Sequence, residues 1–215
     1  MSERAGMPAG GWPLTSSPFH SGEQLLQERA GVRAKVEQIG RRVIRDHMPD
    51  QHRELFGKLP FLIVGSLDDQ HRPWASVHPG FMTSPDAHTL VVRAEAGFGD
   101  PLRHNLRPGA AVGLLGIEPA TRRRNRMNGS VATVAADGFS VRVGQSFGNC
   151  PQYIQARQPH FVADPDSVAA PRPVMHENAV LSHRAAALVQ ASDTFFIATT
   201  SPAANDVTAG ADVSH

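Results

Sequence analysis

Arg123-Arg-Asn-Arg-Met-Asn-Gly-Ser-Val-Ala-Thr-Val-Ala-Ala136 and Phe139-Ser-Val-Arg-Val-Gly-Gln-Ser-Phe147, joined by Asp137-Gly138, decide how this chain folds. Both runs read as strands, and Asp-Gly between two such runs signals a tight hairpin, so the chain reverses here into an antiparallel pair. Upstream, Phe61 to Leu67, Pro73 to His78, Thr89 to Ala94 and Ala111 to Ile117 read as four more strands, separated by turn-like polar segments. One short helix interrupts them, roughly Pro101 to Leu106, with Asp100 as its cap, proline at its first position and Pro108-Gly109 as its stop. Strands joined by short turns with so little helix between them fit an antiparallel barrel rather than a doubly wound sheet, because closure removes exposed edges.

The flanks are helical. Ser21 and Gln24 read as a capping box, after which Leu25, Leu26, Val32, Val36, Ile39 and Val43 recur near a helical period through Arg45. Gly31 and Gly40 weaken that pattern, and Pro49 ends it. Asp50 to Phe56 is expected to form a further helix, stopped by Gly57. Beyond the hairpin, Asn149 to Arg157 is expected to add a short helix. Gln158 to His176, with its four prolines, reads as a linker, and Ser182 as the cap of a helix through Gln190. From Phe195 an aromatic-led apolar strand, a polar turn and a second strand echo Phe61 to His78, where a second barrel would begin.

The expected class is mainly β (α+β), a six-stranded antiparallel split barrel with N-terminal and peripheral helices. The expected divisions are a flexible N-terminus (1–20), a helical region (21–57), the barrel (58–157), a linker (158–177), and the helix and first strands of a truncated second barrel (178–215).

Lys and Arg total 21 and Asp and Glu 20, for a formal charge of +1 over 215 residues. Four of the cations, Arg122, Arg123, Arg124 and Arg126, crowd into one stretch, so the positive charge is local. Such a distribution disfavours a nucleic-acid track, which needs a basic face spread over the domain, and points to a small anion. On a strand, Arg122, Arg124 and Arg126 share a face with Asn128, and a fork of guanidinium donors suits phosphate or carboxylate. The plainer reading is a charged strand that discourages edge pairing.

Cys150 is the single cysteine, which excludes an intrachain disulfide or a multi-cysteine metal site and fits a reducing cytoplasm. The eleven histidines show no H-E-x-x-H spacing, and no metal site is expected. Met1 to Pro18 lacks the apolar core of a signal peptide, and no stretch is long and apolar enough to span a membrane. Leu102 stands where the third glycine of a dinucleotide fingerprint starting at Gly97 would belong, and the βαβ context is missing.

Ser17-Pro-Phe-His-Ser-Gly-Glu23, Gly97-Phe-Gly-Asp-Pro-Leu102, Arg122-Arg-Arg-Asn-Arg-Met-Asn-Gly129, Ser146-Phe-Gly-Asn-Cys-Pro-Gln-Tyr-Ile-Gln155, Ser201-Pro-Ala-Ala-Asn-Asp206 and Asp212-Val-Ser-His215 together carry a resemblance. In order and spacing they resemble the pyridoxamine 5'-phosphate oxidase-like superfamily of FMN-binding split barrels, in its larger two-barrel subgroup. The resemblance implies a homodimer with FMN in a groove between subunits. By position, Ser76 and His78, Arg93 and Ala94, and the loop-helix from Asp100 to Asn105 would border the flavin, with Arg124 and Arg126 approaching from a neighbouring strand. Gly99-Asp-Pro-Leu102 stands where the best-known oxidases carry a Ser-Arg-Lys run.

The function expected on these grounds is a flavin-dependent oxidoreductase moving hydride or electrons to or from a small molecule, with NAD(P)H as a possible donor. No side chain stands out as catalytic, as expected where the cofactor carries the chemistry. The alternative is a non-catalytic flavin or haem carrier on the same fold, with His78 or His104 as axial ligand.

Overall fold

A computed structural model describes residues 10–148, 150–158, 160, 173–201 and 210–215. Ahead of the sheet come three helices, α1 (Ser21–Arg29), α2 (Arg33–Val43) and α3 (Asp50–Lys58). The cap of α1 is His20 rather than Ser21. The His20 ring accepts from the Gly22 and Glu23 amides, while the Glu23 carboxylate accepts from the His20 amide, so the box is shifted by one residue. The helical period through Arg45 is broken into two helices at Ala30–Gly31–Val32, where the glycine interrupts the apolar stripe.

The strands are β1 (Phe61–Leu67), β2 (Pro73–Pro79), β3 (Phe81–Asp86), β4 (Thr89–Arg93), β5 (Ala111–Glu118), β6 (Arg123–Ala135) and β7 (Gly138–Gly148), with α4 (Leu102–Asn105) between β4 and β5. All pairings are antiparallel, in the order β2-β1-β5-β6-β7-β4-β3. The sheet therefore has seven strands, not six, and its ladder does not close into a barrel, since β2 and β3 remain as edges. Phe81–Asp86 escapes a sequence reading because Ser84-Pro85-Asp86 looks like a turn. Proline is tolerated at an edge, and the register does shift between Thr83 and Asp86.

Those two edges are consecutive in sequence, with only Gly80 between them. A sheet whose first and last strands are joined by one residue must roll until its edges meet at that corner. The rolled interior is filled by Leu62, Val64, Leu90, Val92, Leu114, Met127, Val131 and Val141, with Leu55 and Phe56 of α3 and Leu102 of α4 packed against them. Each such fully buried side chain contributes roughly 1.5–3 kcal/mol.

Residues 150–157 form no helix, contrary to expectation, and Asn149 lies outside the described residues, as does most of the expected linker. Helix α5 (His183–Ala191) starts where expected, the Ser182 hydroxyl accepting from the Ala185 amide. The hairpin β8 (Ile197–Thr200) and β9 (Ala211–Ser214) pairs with itself. It lies on the outer face of β1 and β5, where Val213 packs between Ile63 and Leu115. Ser201 apart, the expected Ser201–Asp206 segment lies outside the described residues. Among the described residues no helix is long and apolar enough to cross a membrane.

Candidate functional site

The residues expected to border a cofactor separate into three places. The first is inside the roll, beneath α4. Ser76, Ser66 and His78 point inward from β2 and β1, and the Ser76 hydroxyl donates to Asp100 Oδ1 at 2.6 Å, which also accepts the Leu102 amide at 2.9 Å. Asn105 Nδ2 donates to Ser66 Oγ at 2.9 Å. His78 is 1% exposed, lies 5.7 Å from Phe139 centroid to centroid, and has no hydrogen-bond partner of normal geometry on either nitrogen among the described residues. Burial pushes its pKa down, against opposing pulls from the Ala94 backbone and the Asp100 carboxylate. These contacts close one end of the roll with α4 and leave the His78 ring enclosed beneath it. His104 is exposed on α4.

The second place is the rim at the C-terminal end of β4, adjoining the first through Ala94. There Arg93 is exposed and lies 3.9 Å from Asp137 of the β6–β7 turn, with Ala94 following it in the chain.

The third is the outer face of β6, and here a site is built. Arg124, Arg126 and Asn128 share that face, whereas Asn125 and Met127 point inward. Arg122 departs from the expected row, because its positive φ of 57° places it in the turn before the strand. On β7, Gly144 is left unpaired as the register steps from Asn128↔Gln145 to Gly129↔Val143. This bulge reverses the alternation: Val141 and Val143 point inward, yet so does Ser146, while Gln145 and Phe147 turn outward beside Asn128 and Arg126. Bulges of this kind re-aim side chains next to functional sites.

Gln145 Nε2 then donates to the Pro18 carbonyl at 2.7 Å, tying the N-terminal arm across the strand. Arg126 stacks over the Phe147 ring at 5.2 Å and forms an ion pair with Asp212 of β9. Arg124 contacts the His215 ring. Burial, then the neighbouring Arg124 charge, lowers the Arg126 pKa to about 10, with Glu23 opposing, so it is still a cation at neutral pH.

Between α1 and α2 on one side and the β8–β9 hairpin on the other, this face forms the floor of a groove of about 910 Å³. Its floor carries Arg126, Asn128 and Arg142, and its helical wall carries Leu26, Ile39 and Val43. The volume lies at the upper end of the range for small-molecule sites, roughly 300–1,000 Å³. An apolar wall facing a cationic floor suits an elongated ligand with an apolar body and an anionic end.

Of the expected residues, only Arg126 lines this groove, with Arg124 next to it on the same face. Asn128, Arg142, Phe147 and Asp212 were not anticipated as site residues. The glycine inside the β7 run was the one available signal, since an isolated strand glycine often marks a bulge. Among the described residues no group of three or more His, Cys, Asp or Glu is placed to hold a metal ion.

No protein-family model and no curated protein matches the chain. Among solved structures, HupZ of Group A Streptococcus aligns at 12% identity over 47% of this chain and 93% of that chain, with a TM-score of 0.38. HutZ, the heme storage protein from Vibrio cholerae, aligns at 15% identity over 47% and 94%, with a TM-score of 0.34. An F420 reductase aligns at 12% over 48% and 97%, with a TM-score of 0.30. Likeness at this level assigns neither a family nor a function.

Proposed function

We propose that this protein binds FMN in the groove over β6 and β7 and works as a flavin-dependent oxidoreductase on a small molecule. The observation that carries the reading is the partly buried Arg126 on the floor of a flavin-sized groove, opposite an apolar wall. Arg126, with Asn128 and Arg142, would hold the phosphate end, and Leu26, Ile39 and Val43 would cover the apolar ring. Bound flavin supplies hydride and electron transfer, while the chain's own part is to anchor the anion, exclude water along the helical wall and orient the ring. NAD(P)H is the proposed donor and a second copy of the chain the proposed partner. In support of the second copy, Val77 and Phe81 stand 58% and 70% exposed on either side of the Gly80 corner.

The test is spectroscopic. Purified protein reconstituted with FMN should show a flavin spectrum that bleaches on anaerobic mixing with NADH or NADPH. Protein that stays colourless after reconstitution sinks the proposal, and a Soret band after haem titration moves it to the carrier alternative.

A further inference from the structure

The partner of Arg126 is itself a groove residue. Asp212 projects from β9, whose Ala211 and Val213 are buried at 3% and 1% exposure, so the backbone holding the carboxylate is fixed. One carboxylate oxygen meets one terminal nitrogen of Arg126. The other oxygen, Oδ1, is buried without a hydrogen-bond partner among the described residues, and so are Arg126 Nε and Asn128 Oδ1. A two-armed carboxylate–guanidinium fork would satisfy both Asp212 Oδ1 and Arg126 Nε. The pair is thus one-armed, and leaving buried polar atoms unsatisfied weakens it further. Glu23 on α1 is the second acid near this guanidinium.

We infer that Asp212 is an internal competitor for Arg126, a carboxylate that holds the guanidinium until the anionic end of a ligand displaces it. The inference rests on the groove reading above and adds its selectivity. Asp212 lowers the affinity for a strongly anionic ligand such as a phosphate monoester and leaves the affinity for a neutral ligand of the same shape unaltered. It thereby sets a charge threshold that phosphate meets by offering two or more oxygens to a fork that Asp212 engages through only one.

FMN and riboflavin, which share a ring and differ in the phosphate, separate the two effects. Each is titrated by flavin fluorescence into the wild-type chain, Asp212→Asn, Asp212→Ser and Arg126→Ala, with thermal melts confirming that each variant is folded. Asp212→Asn should bind FMN about tenfold tighter and riboflavin within about twofold of wild type. Asp212→Ser, which removes the charge through a different shape, should shift FMN in the same direction. Unchanged or weaker FMN binding in both Asp212 variants, or an equal gain for riboflavin, overturns the competition. The groove reading survives that result provided Arg126→Ala weakens FMN. If neither the wild type nor either Asp212 variant binds FMN or riboflavin, groove and competitor fall together.

Discussion

At the residue scale, Arg124 and Arg126 are neighbours on one strand face with different surroundings. Arg126 lines the groove and Arg124 does not, because its guanidinium is turned to His215. Arg126→Ala should therefore weaken FMN by roughly 2 kcal/mol, the scale of a charge-assisted contact, while Arg124→Ala should cost under about 0.5 kcal/mol. Calorimetric titration of the two single variants checks this. A second residue bears on stability. His52 is 4% exposed, its Nδ1 lies 2.9 Å from Ser146 Oγ, and its pKa is lowered to about 4 by burial first, then by Arg45, Arg123 and His47. Between its ordinary 6.5 and about 4 the unfolded chain takes up a proton that the folded chain refuses. The stability this neutral histidine contributes is thus complete above pH 6.5 and declines as pH falls toward 4, by up to roughly 3 kcal/mol. His52→Asn keeps a polar group near the Ser146 hydroxyl without the titration and should flatten the loss, as read from urea unfolding between pH 7 and 4.

At the scale of elements, the β8–β9 hairpin can seat itself on the sheet because β5 presents no side chain at one point. A Cβ on Gly113 would stand 2.6 Å from Asp212 Cα and 2.8 Å from the Ala211 carbonyl oxygen, both backbone atoms that cannot swing aside. Gly113→Ala should lift β9 from β1 and β5, expose Val213 and remove Asp212 from Arg126. Amide exchange at 211–214 should then quicken by about tenfold or more while the β1–β2 ladder stays protected. Most elements were legible in the sequence: six of the strands fall where alternating or apolar runs end in turn residues, and the hairpin expected at Asp137-Gly138 does form, with its turn one residue earlier at Ala136-Asp137 and Gly138 opening β7. Phe81–Asp86 was hidden by Pro85, whose cost vanishes at a sheet edge. The shifted cap at His20 was hidden because an imidazole is an uncommon N-cap acceptor. The site was legible only as the arginine run. Its reading as one face held for Arg124, Arg126 and Asn128, but strict alternation could not foresee Arg122 entering a turn or the Gly144 bulge bringing Phe147 to the groove. Nor could spacing show that Ser76 and Asn105 would be spent on the α4 contacts within the roll.

At the scale of the molecule, a local choice sets the global shape. The two edge strands meet through Gly80 alone, and its φ of 150° lies where side chains are rarely tolerated. A Cβ there would also fall 2.7 Å from Ala94 Cβ and 2.8 Å from the Arg93 carbonyl oxygen, so neither the turn nor its neighbour can absorb it. Gly80→Ala should therefore do more than strain one turn: it should open the corner at which β2 and β3 approach and loosen the roll around Met82, Val92 and Leu62. Backbone strain of this type costs about 1–3 kcal/mol before any clash is counted, so a loss of at least about 2 kcal/mol is expected in urea unfolding, with weaker near-ultraviolet circular dichroism. Because the groove lies on β6 and β7, at the centre of the strand order and away from this corner, FMN affinity in the remaining folded fraction should stay within about twofold of wild type. An intact melting transition in Gly80→Ala would mean that the edges are held by their interior packing alone, and that the one-residue link follows the roll rather than imposing it.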